Sequence, residues 1–211
     1  MQRLAMSLAG LFLAVTGLIV AGPRGHAFPA PGLVLAALLW AGLEFYVGAF
    51  RSFAGEVPAH PLIKASRMLW SLPVVYSWLD FRWGWTRVPL PTWTAAGIFI
   101  VLLAGLALRT WAVLHLGASF SYDLKRPAGG QLVTTGPYRF LRHPSYLGIC
   151  LLGSLPGLLL GSLPGFIGMA LLTVPQTLYR ARREDQVLEA EFGDRFRQYR
   201  QHTSAFIPFI Y

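Results

Sequence analysis

From Tyr146 to Tyr179 the chain runs for 34 residues without a charged side chain. As a single α-helix this stretch would be about 50 Å long, well beyond the roughly 30 Å hydrocarbon core of a bilayer. It is too apolar to face water and too long for one crossing, so it must bend back on itself. Gly161, Pro164 and Gly165 lie near its middle, where glycine and proline break helices. Two short helices returning to the same side, a helical hairpin, meet both constraints.

Other stretches point the same way. Leu4–Gly22, Leu33–Phe50, a shorter segment around Met68–Leu79, and Trp93–His115 each approach the length of a spanning helix. Leu4–Gly22 ends at Gly22-Pro23 as a signal peptide would, but only Arg3 precedes it and more spans follow, so it reads as a retained first helix. Charged residues form 13% of the chain against about 25% in soluble domains, which excludes a cytosolic enzyme fold. The expectation is an all-α integral membrane protein with five to six transmembrane helices, those of residues 1–116 preceding a second region, residues 117–211, of polar loop, hairpin and tail.

Charge orients the chain. With the N-terminus inside, the inner segments hold 14 of the 18 Lys and Arg residues, and the outer loops hold Arg24, Arg82 and Arg87. The positive-inside rule then puts both termini, the 117–145 loop and the tail in the cytoplasm, at a bacterial-type inner membrane. Arg109 lies near the inner end of the fourth span, where its long side chain can snorkel to water. Trp78, Trp83, Trp85 and Trp93 gather around the outer loop as an interfacial belt. From Arg180 to Gln201, charges surround an apolar spacing of Val187, Leu188, Phe192, Phe196 and Tyr199, an amphipathic helix interrupted at Gly193. Such a helix lies along the membrane surface, drawn to anionic lipid. The basic charge is thereby explained without nucleic acid. Cys150, alone in an apolar run, is an inert buried thiol.

Polar residues concentrate between Gly117 and Tyr146. His143, followed by Pro144 in a first helical turn, stands at the mouth of the membrane. A lone histidine there is more often a hydrogen-bonded interface residue than a functional one. Its company matters: Tyr146 lies three residues on, and Arg180 and Glu184, spaced i, i+4, occupy the far end of the hairpin, which brings both ends together. Arg180 and Glu184 equally fit an ordinary helix-surface pair, but an arginine at a lipid boundary is costly unless paired and is a good fork for a carboxylate or phosphate. Glu44, inside the second span, is a pairing or functional candidate unless it reaches water from the span end. The five histidines show no metal-ligand spacing, so no metal is expected, and no nucleophile elbow, Walker loop or dinucleotide fingerprint occurs.

The run FSYDLKRPAGGQLVTTGPYRFLRHPSYLG, then REDQVLEAEFGDRFRQYR from Arg183 and IPFI from Ile207, resembles the isoprenylcysteine carboxyl methyltransferase family. The likeness extends from about Gly117 to the C-terminus, and residues 117–211 would be the methyltransferase catalytic region. It implies transfer of a methyl group from S-adenosyl-L-methionine to the C-terminal carboxylate of a prenylated cysteine, the acceptor being a lipid-like or prenylated small molecule or protein. By the resemblance, cofactor contacts fall on Gln131, Leu132 and Val133, on Tyr138, on His143, Pro144, Ser145 and Tyr146, and on Glu184. Lys125 matches a further cofactor-contacting position approximately. Arg180 would hold the substrate carboxylate. Asp185 stands where the family usually has a second glutamate, Phe196 where a tyrosine is common, and Ala205 where many bacterial relatives have arginine.

Three other readings remain open at this point. The same cofactor could serve a phospholipid or amine acceptor, which must lose a proton and would shift the pH optimum upward. A sterol-type reductase using NADPH shares the fold, although such chains tend to be longer. A non-catalytic membrane protein would use the polar loop only for packing.

Overall fold

The computed structural model describes residues 29–50, 69, 71–117 and 131–206. Leu4–Gly22, Lys125 and the Ile207–Ile210 run lie outside them, as does the side chain of Glu44. Among the described residues there are six α-helices and no strand. These are α1 (Ala30–Phe50), α2 (Ser71–Trp83), α3 (Thr92–Leu116), α4 (Pro144–Leu159), α5 (Leu163–Phe192) and α6 (Asp194–Gln201), with a 3-10 turn at Gly136–Arg139.

The long uncharged run divides at Leu160–Ser162. Gly161 takes φ +78°, a left-handed conformation that glycine adopts without strain, and the Ser162 hydroxyl accepts from the Gly165 N–H at 3.4 Å. Pro164 and Gly165 therefore already belong to the first turn of α5, where proline starts a helix rather than ending one. The division leaves α4 with 16 residues. By length and composition α3 alone among the described helices suffices to cross a membrane, with Ala30–Leu43 and α4 apolar but shorter. That is fewer than the five to six spans expected, the first of which lies outside the described residues. Past Tyr179 the chain stays helical to Phe192, so the charged segment from Arg180 extends α5. The break falls at Gly193, φ +53°.

The helices pack through small residues. A Cβ on Gly148 of α4 would lie 2.7 Å from the Gly105 carbonyl oxygen of α3, so the two backbones approach closely only because this side chain is absent. α4 and α5 run antiparallel, with Gly157 against Phe166 and the Thr173 hydroxyl donating to the Gly153 carbonyl at 3.3 Å. Leu102 and Leu106 of α3, Leu152 and Leu159 of α4, Met169 of α5 and Phe81 of α2 form the buried core.

One end of the bundle is closed by the α2–α3 loop. The carboxylate of Asp80 accepts from the N–H and hydroxyl of Thr86 at 2.7 and 2.8 Å, and Val88 donates its N–H to the Gly161 carbonyl at 2.8 Å. The tryptophans gathered here divide. Trp83, Trp85 and Trp93 are exposed, whereas Trp78 is buried in the core with its ring edge-on to Phe81, centroids 6.2 Å apart, so it packs inside the bundle and anchors nothing at its rim.

Candidate functional site

At the opposite end, the last turns of α3 carry His115 and Arg109. Gly136 opens the 3-10 turn at φ +60°, and a Cβ there would sit 2.6 Å from the His115 ring, so only glycine lets the turn close over it. His115 Nε2 lies 2.9 Å from the Thr135 hydroxyl. Tyr138 is buried below, its hydroxyl donating to the Ala112 carbonyl at 3.3 Å, and its own carbonyl accepts from the Tyr199 hydroxyl at 2.7 Å. Burial first, and the nearby charge of Glu184 second, push the Tyr138 phenol well above its ordinary pKa, so it stays neutral.

The next residues are held by the tail. The N–H of Arg142 donates to the Ser204 carbonyl at 2.8 Å, and that of His143 to the Ala205 carbonyl at 3.1 Å. The Arg142 guanidinium donates to the carbonyls of Arg200 and Thr203 and faces Asp185 Oδ2 at 3.6 Å. Loop and tail are thus brought together by the structure.

His143 precedes Pro144, the first residue of α4, and its ring is the hub of the constellation. Nε2 lies 2.9 Å from Asp185 Oδ1, and Nδ1 lies 3.8 Å from Glu184 Oε2. The ring stacks on Tyr146, with centroids 5.5 Å apart, and is tilted against Phe206, 5.8 Å away. The Arg180 guanidinium stands 5.9 Å from the centre of the Tyr146 ring, and the Tyr146 hydroxyl interacts with both Glu184 and Arg180. Antiparallel pairing of α4 and α5 produces this meeting, because the first turn of one faces the later turns of the other.

Of the expected site residues, His143, Tyr146, Arg180 and Glu184 therefore converge, and Tyr138 lies beside them. Pro144 is buried in the first turn of α4. The Ser145 hydroxyl oxygen instead accepts from the Arg109 guanidinium at 2.7 Å. Gln131 is exposed and Leu132 and Val133 are half-buried on the approach to the 3-10 turn; Lys125 lies outside the described residues. Arg109 does not snorkel. It is 3% exposed, because α4 covers it and Ser145 supplies an acceptor within the protein.

Four residues of this network escape the sequence reading as partners: Asp185, Arg142, Phe206 and Arg109. Asp185 and Arg142 flank residues already singled out, and Arg109 is an ionisable residue in an apolar helix, a functional signal in itself. Phe206 carries no such mark. Chemically, the arrangement sets aromatic faces and carboxylates beside a guanidinium fork. It can receive a cationic group and an anionic one side by side. Among the described residues no group of three or more His, Cys, Asp or Glu side chains is arranged to hold a metal ion.

Residues 97–190 match the sequence profile of the Isoprenylcysteine carboxyl methyltransferase (ICMT) family. Similar proteins include the Protein-S-isoprenylcysteine O-methyltransferase of Xenopus laevis, 28% identical over 146 residues, 67% of this chain and 51% of that protein. The protein of that name from Schizosaccharomyces pombe is 34% identical over 111 residues, 52% of this chain and 47% of the relative. The chain thus spans about half the length of these curated relatives. The fold resembles a solved structure described as the eukaryotic intramembrane Ras methyltransferase ICMT, with a TM-score of 0.51 and 17% identity over 99% of this chain and 98% of that one. At that identity the likeness concerns the fold.

Proposed function

We propose that the chain is a member of the isoprenylcysteine carboxyl methyltransferase family, whose profile its residues 97–190 match, and that it transfers a methyl group from S-adenosylmethionine to the carboxylate of an isoprenylated cysteine or similar lipid-like acceptor at a membrane. The observation that carries this reading is the position of Arg180 over Tyr146, 5.9 Å from its ring centre, with Glu184 one helical turn further on.

The donor set fits the cofactor. When bound, S-adenosylmethionine supplies an electrophilic methyl on a sulfonium. Tyr146 and Tyr138 offer aromatic faces for adenine or the sulfonium, and the Glu184 carboxylate accepts hydrogen bonds from its polar groups. His143 and Pro144 form the wall behind, and the resemblance adds Ser145, Lys125 and the backbone of Gln131, Leu132 and Val133 as cofactor contacts. Arg180 holds the acceptor carboxylate through its two-pronged guanidinium. A carboxylate is ionised near neutral pH, so no general base is required. What the residues contribute is alignment and exclusion of water.

The membrane setting is supported by large apolar side chains left exposed on α3 and α5, among them Ile100, Leu114, Ile167 and Leu171. In this reading the chain makes five to six crossings, α4 and α5 form a hairpin with both ends on the cytoplasmic side, and α6 lies at the surface of a bacterial-type inner membrane. Both termini are cytoplasmic. The prenyl chain arrives from the bilayer and the cofactor from water.

The test is methyl transfer from labelled S-adenosylmethionine to N-acetyl-farnesylcysteine by the detergent-purified protein. Base-labile label, the signature of a methyl ester, is expected. Label found only in a base-stable product on an amine acceptor, or no label at all, would contradict the proposal.

A further inference from the structure

We propose that Arg109 is a positioning residue for this site, holding the first turn of α4 in register so that His143 and Tyr146 face α5. The inference rests on the functional reading above. Arg109 lies in α3, is 3% exposed and donates from Nη1 to the Ser145 hydroxyl at 2.7 Å. A guanidinium buried between apolar helices is costly unless its donors are satisfied, so a residue needed only for packing would be apolar.

A further observation places it against the same helix end. A Cβ on Gly148 would lie 2.7 Å from the Arg109 Cβ, so α4 rests on the arginine stem one turn below the contact with its head. Ser145 sits between Pro144 and Tyr146, and its hydroxyl is engaged by Arg109. Its part in the site is therefore to fix its neighbours, whereas the resemblance alone would make it a cofactor contact.

Calorimetric affinity for S-adenosylmethionine, with melting temperature recorded in parallel, tests this in detergent-purified Arg109→Met, Arg109→Lys, Ser145→Ala and the Arg109→Met/Ser145→Ala pair. Thr86→Ala, which loosens the opposite end of the bundle, is the control for general destabilisation. Contacting residues couple strongly, so Arg109→Met and Ser145→Ala should each weaken binding about tenfold, with the pair no worse than either alone. Arg109→Lys should recover most of the loss, and Thr86→Ala should bind like the parent. If Arg109→Met does not fold, Ser145→Ala carries the same prediction alone. Parent-like affinity in folded Arg109→Met or Ser145→Ala, or equal losses in Thr86→Ala, would overturn the inference. A folded parent that binds no S-adenosylmethionine would instead overturn the functional reading on which it rests.

Discussion

Nε2 of His143 stands 2.9 Å from Oδ1 of Asp185, joining the first turn of α4 to the later turns of α5. The two side chains are 2% and 16% exposed, so little water competes for the contact. Through its second oxygen the same carboxylate faces Arg142 at 3.6 Å. One aspartate thus orients both residues that precede Pro144.

Replacing it should loosen both. Asp185→Ala should cost about 2 kcal/mol, the scale of a hydrogen bond to a charged group whose partners stay behind. That corresponds to a fall of roughly 4–8 °C in melting temperature for a chain of this size. Asp185→Glu, the residue usual in the family, should recover most of it. Thermal unfolding in detergent checks the order parent, Glu, Ala; equal melting of parent and Asp185→Ala would mean that the contact contributes nothing.

Arg180 and Glu184 share a helix face but have different proposed tasks, and kinetics can separate them. Arg180→Ala should raise KM for the prenylcysteine acceptor by about tenfold or more with little change in S-adenosylmethionine affinity. Glu184→Gln should do the reverse. Identical effects of both on both substrates would contradict the assignment.

Helix approach through glycine predicts a graded series. Gly157→Ala should be the most damaging, since its Cβ would fall 2.4 Å from the Phe166 backbone nitrogen, which cannot move aside. Gly148→Ala meets the Gly105 carbonyl and the Arg109 stem and should cost about 1–3 kcal/mol. Gly153→Ala meets the Thr173 side chain and should cost less. Gly97→Ala, with nothing within 4 Å, should be neutral or stabilising by up to about 1 kcal/mol from helix propensity. Denaturation midpoints give the order directly.

Two phenols predict the alkaline limit. Burial first raises the pKa of both Tyr138 and Tyr199 in the folded protein. Unfolded tyrosine ionises at about 10, so the contribution of these groups is fully present below that pH and is lost as pH rises toward their folded values. Melting temperature, as far as these groups set it, should be level up to about pH 9 and fall above about pH 10. Tyr199→Phe, which removes the 2.7 Å bond to the Tyr138 carbonyl, should lower stability at neutral pH and flatten the alkaline fall.

What was legible in the amino-acid sequence depended on whether side-chain type dictates the contact. The turn at Gly161 was readable because a left-handed residue favours glycine, and the meeting of His143, Tyr146, Arg180 and Glu184 followed from helical spacing on two paired helices. The continuation of α5 through Arg180 was harder to read. The change from apolar to charged residues alters what the helix faces, while Arg, Glu, Leu and Ala remain good helix formers. Pairing of Arg142 and His143 with Ser204 and Ala205 uses backbone groups, which no side chain announces. Arg109 was visible as a charge in an apolar run. Its burial depended on Gly105 and Gly148 drawing α4 close enough for Ser145 to receive it, a tertiary contact that proximity to the span end disguised.

The central claim is that the His143, Tyr146 and Glu184 constellation holds S-adenosylmethionine. Its most direct test is calorimetric titration of S-adenosylmethionine and of its demethylated product into the detergent-purified protein, with Glu184→Ala in parallel. The parent should bind both ligands with micromolar affinity, and the variant should lose that binding. No binding by a parent shown to be folded, or equal binding by parent and variant, would contradict it.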